Sequence, residues 1–216
     1  MRKNFDLIIF DLDGTLIDTM GSFADIAGEL IEKHCGWNFE IGRKRYLETS
    51  GIPFFQQMEI LFPGGDNNEV IVQRFEKLKI AAFVHEKVSE KTLETLHELK
   101  ECGFRTVISS NNFHDLVREF VHRENVPVDL ALGFRPHFSK GCPHFDYIAE
   151  YFKVPRNKML FVGDSLRDAE IAHKNAIQFI AKVGTFNPED FKLECNSEYL
   201  PVIYEIYEIL EILEDL

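Results

Sequence analysis

Five short apolar runs, at Leu7–Phe10 and residues 106–109, 130–132, 159–162 and 179–181, recur along the chain, each bounded by polar or Gly residues. Runs this short and this evenly apolar suit strands buried on both faces, which have no wet face to carry polar residues. Between them lie stretches of helical length, at residues 88–101, 115–124, 145–152 and 166–175. Leu93, Leu96 and Leu99, three residues apart, line one side of the first of these. Strands alternating with helices in this way predict an α/β protein, with a mostly parallel sheet covered by helices on both faces.

One interval breaks the alternation. Roughly 95 residues separate the first apolar run from the second, far more than one crossover helix needs. Breaks occur at Gly36, Gly51-Ile52-Pro53 and Pro63-Gly64-Gly65. Elsewhere the apolar spacing is helical, notably over residues 23–31 and 70–83, which argues against a large irregular loop. We expect residues 18–86 to form an inserted helical subdomain, and residues 1–17 and 87–216 to form the α/β core. The tail from residue 199 to 216 carries Val202, Ile206, Ile209, Leu210 and Leu213 at helical spacing. It predicts an amphipathic helix closing the sheet, with a dimer-forming helix as the other reading.

Composition narrows the function classes. The chain has 24 Lys+Arg against 36 Asp+Glu, a formal net charge of -12. An acidic surface disfavours nucleic acid and anionic membranes as partners, because both are polyanions. A small anionic substrate stays compatible, since a bound cation and a lysine can reverse the potential locally. Cys35, Cys102, Cys142 and Cys195 are scattered with no Cys-x-x-Cys pair, which argues against zinc and fits a reducing compartment. Met1-Arg2-Lys3 has a basic start, but the apolar run after it is too short for a leader or a span. A cytoplasmic protein is expected.

The chemistry concentrates at strand ends. Asp11 and Asp13 follow the first apolar run in Phe10-Asp11-Leu12-Asp13-Gly14-Thr15-Leu16. In extended backbone, residues i and i+2 point to one side, so both carboxylates face one spot. Beyond the carboxyl ends of parallel strands, that spot is where ligands bind. Paired carboxylates repel unless a hard divalent cation lies between them, which points to Mg²⁺. A second acidic pair occurs in Gly163-Asp164-Ser165-Leu166-Arg167-Asp168, where i and i+4 share one face of a helix start. Ser110-Asn111 follows the second apolar run and could hold phosphate oxygens, although N-capping is the commoner role for such a Ser. Lys140, in Ser139-Lys140-Gly141-Cys142-Pro143, could balance the carboxylates and grip a phosphoryl group.

The ordered set Asp11-x-Asp13-Gly14-Thr15, Ser110-Asn111, Lys140-Gly-x-Pro143 and Gly163-Asp164-x-x-x-Asp168 resembles the four motifs of the haloacid dehalogenase-like (HAD) superfamily. It is most similar to the branch with a helical cap after the first motif, as in phosphoglycolate phosphatases and β-phosphoglucomutases. The resemblance extends over about residues 6–184 and implies a Rossmann-like core with the 18–86 segment as cap. It implies further that Asp11 attacks phosphorus to form an aspartyl-phosphate, while Asp13 protonates the leaving alcohol and then activates water. Ser110 would hold a phosphate oxygen, and Lys140 would steady Asp11 and the phosphoryl group. Mg²⁺ would be held by Asp11, the backbone carbonyl of Asp13, and Asp164, with Asp168 as a further or water-mediated ligand.

The chain also departs from its relatives. Dehalogenases and phosphonate-cleaving members lack an acid at the position of Asp13, so its presence argues against both activities. Gly141 replaces the first proline of a common Lys-Pro-x-Pro form, which should keep the turn and loosen it. Asp18-Thr19-Met20-Gly21-Ser22 diverges from the segment often found in phosphoglycolate phosphatases. Substrate choice would fall to the cap, with Met20, Phe23 and the Gly51-Ile52-Pro53 break as candidates. Phe54 and Phe55 are read first as core residues, and Arg43-Lys44-Arg45 as a solvated helix face. His114, His137 and His144 lie near the second and third motifs and could touch substrate. The expected function is hydrolysis of a small phosphomonoester, by a monomer or weak dimer. A sugar phosphomutase and a non-catalytic interaction module are the alternatives.

Overall fold

The computed structural model describes residues 4–195 and 200–215. The chain divides into two compact units, one of Met1–Ile17 with Lys87–Leu216 and the other of Asp18–Glu86.

The larger unit is built on six parallel strands: β1 (Leu7–Phe10), β2 (Arg105–Phe113), β3 (Leu130–Phe134), β4 (Met159–Gly163), β5 (Gln178–Lys182) and β6 (Val202–Ile203). They lie in the order β3-β2-β1-β4-β5-β6. This is a doubly wound α/β fold, in which the chain moves outward from β1 in one direction and then in the other. All four residues of β1 are fully buried, which accounts for the unbroken apolar run Leu-Ile-Ile-Phe. Helices α5 (Glu90–Glu101), α6 (His114–Arg123), α7 (Cys142–Phe152), α8 (Leu166–Lys174), α9 (Pro188–Cys195) and α10 (Ile209–Asp215) complete this unit. On the sheet, Leu7, Ile9, Val107, Met159 and Phe161 pack with Phe145 and Ile148 of α7.

Register sets where the site falls. Phe10 lies level with Ile108 of β2 and Val162 of β4. The residues after those positions therefore emerge side by side at the carboxyl edge. The order reverses at β1, and such a switch point opens a crevice between strands.

The smaller unit is helical, with α1 (Met20–Cys35), α2 (Phe39–Glu48), α3 (Phe54–Leu61) and α4 (Asn68–Phe83). Its core contains Phe23, Ile31, Tyr46, Phe54, Met58, Ile71 and Phe75, with the rings of Phe54 and Phe75 stacked at 3.9 Å. Phe55 is 46% exposed, which corrects the expectation that both phenylalanines pack inside. Arg43, Lys44 and Arg45 pair with Asp25 and Glu48 on the surface, as a solvated face does.

The tail needs a second correction. Residue 199 and residue 216, the ends of the expected helix, lie outside the described residues, as does the basic Met1-Arg2-Lys3 start. Val202–Ile203 form a strand against Ala181 and Lys182, and helix begins only after it. Two strand residues are too few to show a period of two, so helical spacing was what the sequence displayed. Among the described residues no helix is long and apolar enough to cross a membrane.

Candidate active site

β1 delivers Asp11 to the sheet edge. Its backbone N–H donates to the Val162 carbonyl at 2.9 Å, continuing the ladder one residue past the strand. The chain then turns back over itself, with the Leu12 carbonyl accepting from the N–H groups of Thr15, Leu16 and Ile17 at 3.0–3.3 Å. Gly14 makes this turn at φ 75, a left-handed conformation that favours glycine. Asp13 sits on this turn, half-buried, while Asp11 is 5% exposed.

β4 delivers Asp164, which is 2% exposed, and Ser165 then caps α8. The Ser165 hydroxyl accepts from the Asp168 N–H at 3.1 Å and donates to Asp168 Oδ2 at 2.7 Å. This reciprocal capping box fixes Asp168 at the helix start. Its other oxygen, Oδ1, lies 2.6 Å from Lys140 Nζ. The same ammonium reaches Asp11 Oδ2 at 3.0 Å. Lys140 is placed by the segment before α7, where Gly141 adopts φ 117 and ψ -147. Proline, fixed near φ about -65°, has no access to that conformation. Gly141 is thus what this turn requires, which corrects the expectation of a loosened turn.

Carboxylate oxygens of Asp11, Asp164 and Asp168 converge to within 4.8 Å of one another. Asp13 stands outside this trio, and its Oδ2 accepts instead from Asn112 Nδ2 at 2.6 Å. Three buried carboxyl groups thus face one buried ammonium, so two negative charges are uncompensated when all three are ionised. Burial pushes the Asp11 carboxyl up to about 7, with Asp168 and Asp13 adding to the rise and Lys140 opposing it. Burial also holds Asp164 well above the usual carboxylate range, reinforced by the charges of Asp11 and Asp168. Burial alone would lower Lys140, but Asp11 and Asp168 outweigh it and hold the ammonium above its ordinary value. Asp164 Oδ1 receives the Thr15 hydroxyl at 3.4 Å, whereas the buried Oδ2 has no hydrogen-bond partner. An orphaned carboxylate oxygen within an all-oxygen donor set of excess negative charge fits a hard divalent cation such as Mg²⁺.

The second motif completes this edge of the sheet. Ser110 is fully buried, and its Oγ accepts the Asn112 N–H at 3.0 Å. Asn111 Oδ1 accepts the backbone N–H of Lys140 at 3.3 Å, so it braces the third motif. Gly51 lies in the helical unit, in the turn between α2 and α3, with φ 90.

The histidines divide. His144 is fully buried, with Nδ1 2.9 Å from Ser109 Oγ and its ring against Phe138. His114 Nδ1 accepts the Gly133 N–H at 3.2 Å, and His137 is exposed. Two of the three therefore hold structure together. The sequence pointed to no role for Asn112, and it offered Thr15 and Ser165 only as members of their motifs. The spacing Ser165-x-x-Asp168 is a legible capping signature, whereas nothing local distinguishes Asn112 from a loop asparagine.

Residues 8–182 match the family model described as haloacid dehalogenase-like hydrolase. A protein of Caldanaerobacter subterraneus subsp. tengcongensis, provisionally named pyrophosphatase PpaX, is 27% identical over 192 residues, covering 81% of this chain and 80% of its own. A phosphoglycolate phosphatase of Vibrio parahaemolyticus is 24% identical over 203 residues, covering 81% and 82%. Among solved structures, a predicted phosphatase from Clostridium acetobutylicum superposes with a TM-score of 0.82 at 18% identity, covering 98% of this chain and 99% of its own.

Proposed function

The chain belongs to the haloacid dehalogenase-like hydrolases, and from that premise we propose that it is a magnesium-dependent phosphatase of small phosphomonoesters, working through an aspartyl-phosphate on Asp11. The observation that carries this proposal is the Asp11–Lys140–Asp168 ion-pair chain beside Asp164, at the carboxyl edge of the parallel sheet.

An Asp11 carboxylate oxygen attacks phosphorus, and the bond from phosphorus to the ester oxygen breaks. Asp13 gives its proton to the departing alkoxide, which leaves as an alcohol. The Asp13 carboxylate then takes a proton from water, whose oxygen attacks phosphorus, releasing inorganic phosphate and restoring Asp11. Ser110 offers its O–H to a phosphoryl oxygen while its Oγ accepts from the Asn112 N–H. Asn111 holds the Lys140 segment, and Lys140 presents its charge to Asp11 and the transferring group.

Asp11, the Asp13 carbonyl and Asp164 would hold Mg²⁺, which supplies shielding of phosphoryl charge. Asp168 has both oxygens engaged by Lys140 and Ser165, which favours a water-mediated contribution from it. The helical unit acts as the cap that selects the leaving group, with Gly51 as its substrate-contacting position. This role is supported by its insertion directly after the first motif. The scatter of the cysteines, with no Cys-x-x-Cys spacing, supports a cytoplasmic location.

The test is a panel of phosphorylated metabolites, phosphoglycolate among them, assayed with and without Mg²⁺ for wild type and Asp11→Asn. Phosphate release that needs both Asp11 and Mg²⁺ is expected. Equal release by the two proteins, or strict dependence on a sugar bisphosphate activator, would overturn the proposal.

A further inference from the structure

Asp13 and Asn112 lie 99 positions apart in sequence, yet the Asn112 amide donates to Asp13 Oδ2 at 2.6 Å. Asn112 is 3% exposed and Asp13 half-buried, so this charge-assisted contact is partly shielded from water, which strengthens a hydrogen bond to a carboxylate. Asp13 itself rides on a half-buried glycine turn.

The route by which Asn112 reaches Asp13 is built into β2. Pairing with β3 runs regularly to Ser109 and Leu132, then resumes at Phe113 and Phe134. Four residues of β2 are thus matched by two of β3, and the excess bulges out over Ser110–Asn112. A bulge beside a site re-aims side chains that a regular strand would send elsewhere. Gly133 makes room for it: a Cβ there would meet the Asn112 carbonyl oxygen at 2.7 Å and His114 Cα at 2.6 Å. The Asn112 N–H is tied to Ser110 Oγ, and its side-chain Oδ1 is buried with no hydrogen-bond partner. Leaving a buried amide oxygen unpaired is unfavourable, and turning the amide over would set that oxygen against the Asp13 carboxylate. The orientation is therefore dictated by Asp13.

We propose that Asn112 is a positioning residue that holds the Asp13 carboxylate in line with the leaving oxygen. This rests on the phosphatase reading above, in which Asp13 is the acid. The consequence concerns which esters need Asn112. An alkoxide leaves only with a proton, whereas 4-nitrophenolate departs as a stable anion without one. Losing the orientation of Asp13 must therefore penalise alkyl phosphates selectively. The parameter to read is kcat/KM, which ends at departure of the leaving group and is blind to the later water step.

The experiment compares wild type, Asn112→Ala and the near-isosteric Asn112→Asp on an alkyl phosphate and on 4-nitrophenyl phosphate, each also in an Asp13→Ala background. We expect kcat/KM for the alkyl ester to fall about tenfold or more, with a much smaller fall for the aryl ester. In the Asp13→Ala background, Asn112→Ala should cost nothing further, because residues acting as one unit are not additive. If Asn112→Ala does not fold, Asn112→Asp carries the comparison, since it keeps the volume and loses the donor. An equal fall for both esters, or an undiminished fall without Asp13, would overturn the positioning role while leaving the phosphatase intact. A wild type inert toward both esters would overturn the phosphatase reading and this role with it.

Discussion

Lys140 and Asp168 form a fully buried ion pair, with Nζ 2.6 Å from Oδ1 and side-chain exposures of 2% and 0%. A buried pair adds little over apolar packing, but removing one partner leaves an uncompensated charge. Here the loss is compounded, because Lys140 is also the cation beside Asp11. Lys140→Met should therefore destabilise the metal-free protein by about 3–5 kcal/mol in urea denaturation. A cost under about 1 kcal/mol would show that the carboxylates do not depend on this lysine.

Gly163 tests how tightly Asp168 is seated. A Cβ at this position would lie 2.7 Å from Asp168 Cβ and 2.8 Å from its Cγ and Oδ2. Those atoms belong to a side chain locked by Ser165 and Lys140, so they cannot yield without breaking the capping box. Gly163→Ala should lower stability by about 1–3 kcal/mol and reduce kcat more than it raises KM. Unchanged kcat in a folded Gly163→Ala protein would argue that the exact seat of Asp168 is immaterial.

Asp164 should govern the response to metal, since its buried Oδ2 has no hydrogen-bond partner. At a Mg²⁺ concentration of 100 Kd, a single site stabilises by about 2.7 kcal/mol. The melting temperature of the wild type should rise with Mg²⁺ and fall back on chelation, whereas Asp164→Asn should respond weakly. Equal responses in the two proteins would place the cation elsewhere.

His144 sets a pH dependence of stability. Burial lowers its pKa from 6.5 to about 3, so the folded ring stays neutral where the unfolded chain already binds a proton. The stability due to the neutral ring is complete above pH 6.5 and is lost as pH falls from 6.5 toward 3. The loss reaches at most about 1.4 kcal/mol per pH unit. The stability difference between wild type and His144→Phe should shrink from pH 7 to pH 5 in thermal melts. A constant difference would mean that His144 protonates in place.

Much of this was legible beforehand for physical reasons. The runs that became β1 and β4 are buried on both faces, so their pattern could only be apolar. Asp11 and Asp164 stand directly after those runs, and strand register then sets them side by side. β6 was not legible, because two residues carry no period. The link between Asn112 and Asp13 was not legible either, since a bulge and a glycine on the neighbouring strand create it.

The central claim is that Asp11 becomes phosphorylated. Wild type mixed with 4-nitrophenyl phosphate and Mg²⁺ can be acid-quenched on the millisecond scale, digested and mapped by mass spectrometry. A phosphoryl increment on the peptide bearing Asp11, present in Asp13→Asn and absent from Asp11→Asn, is the predicted result. Turnover by the wild type with the phosphoryl group on another residue, or undiminished turnover by Asp11→Asn, would contradict it.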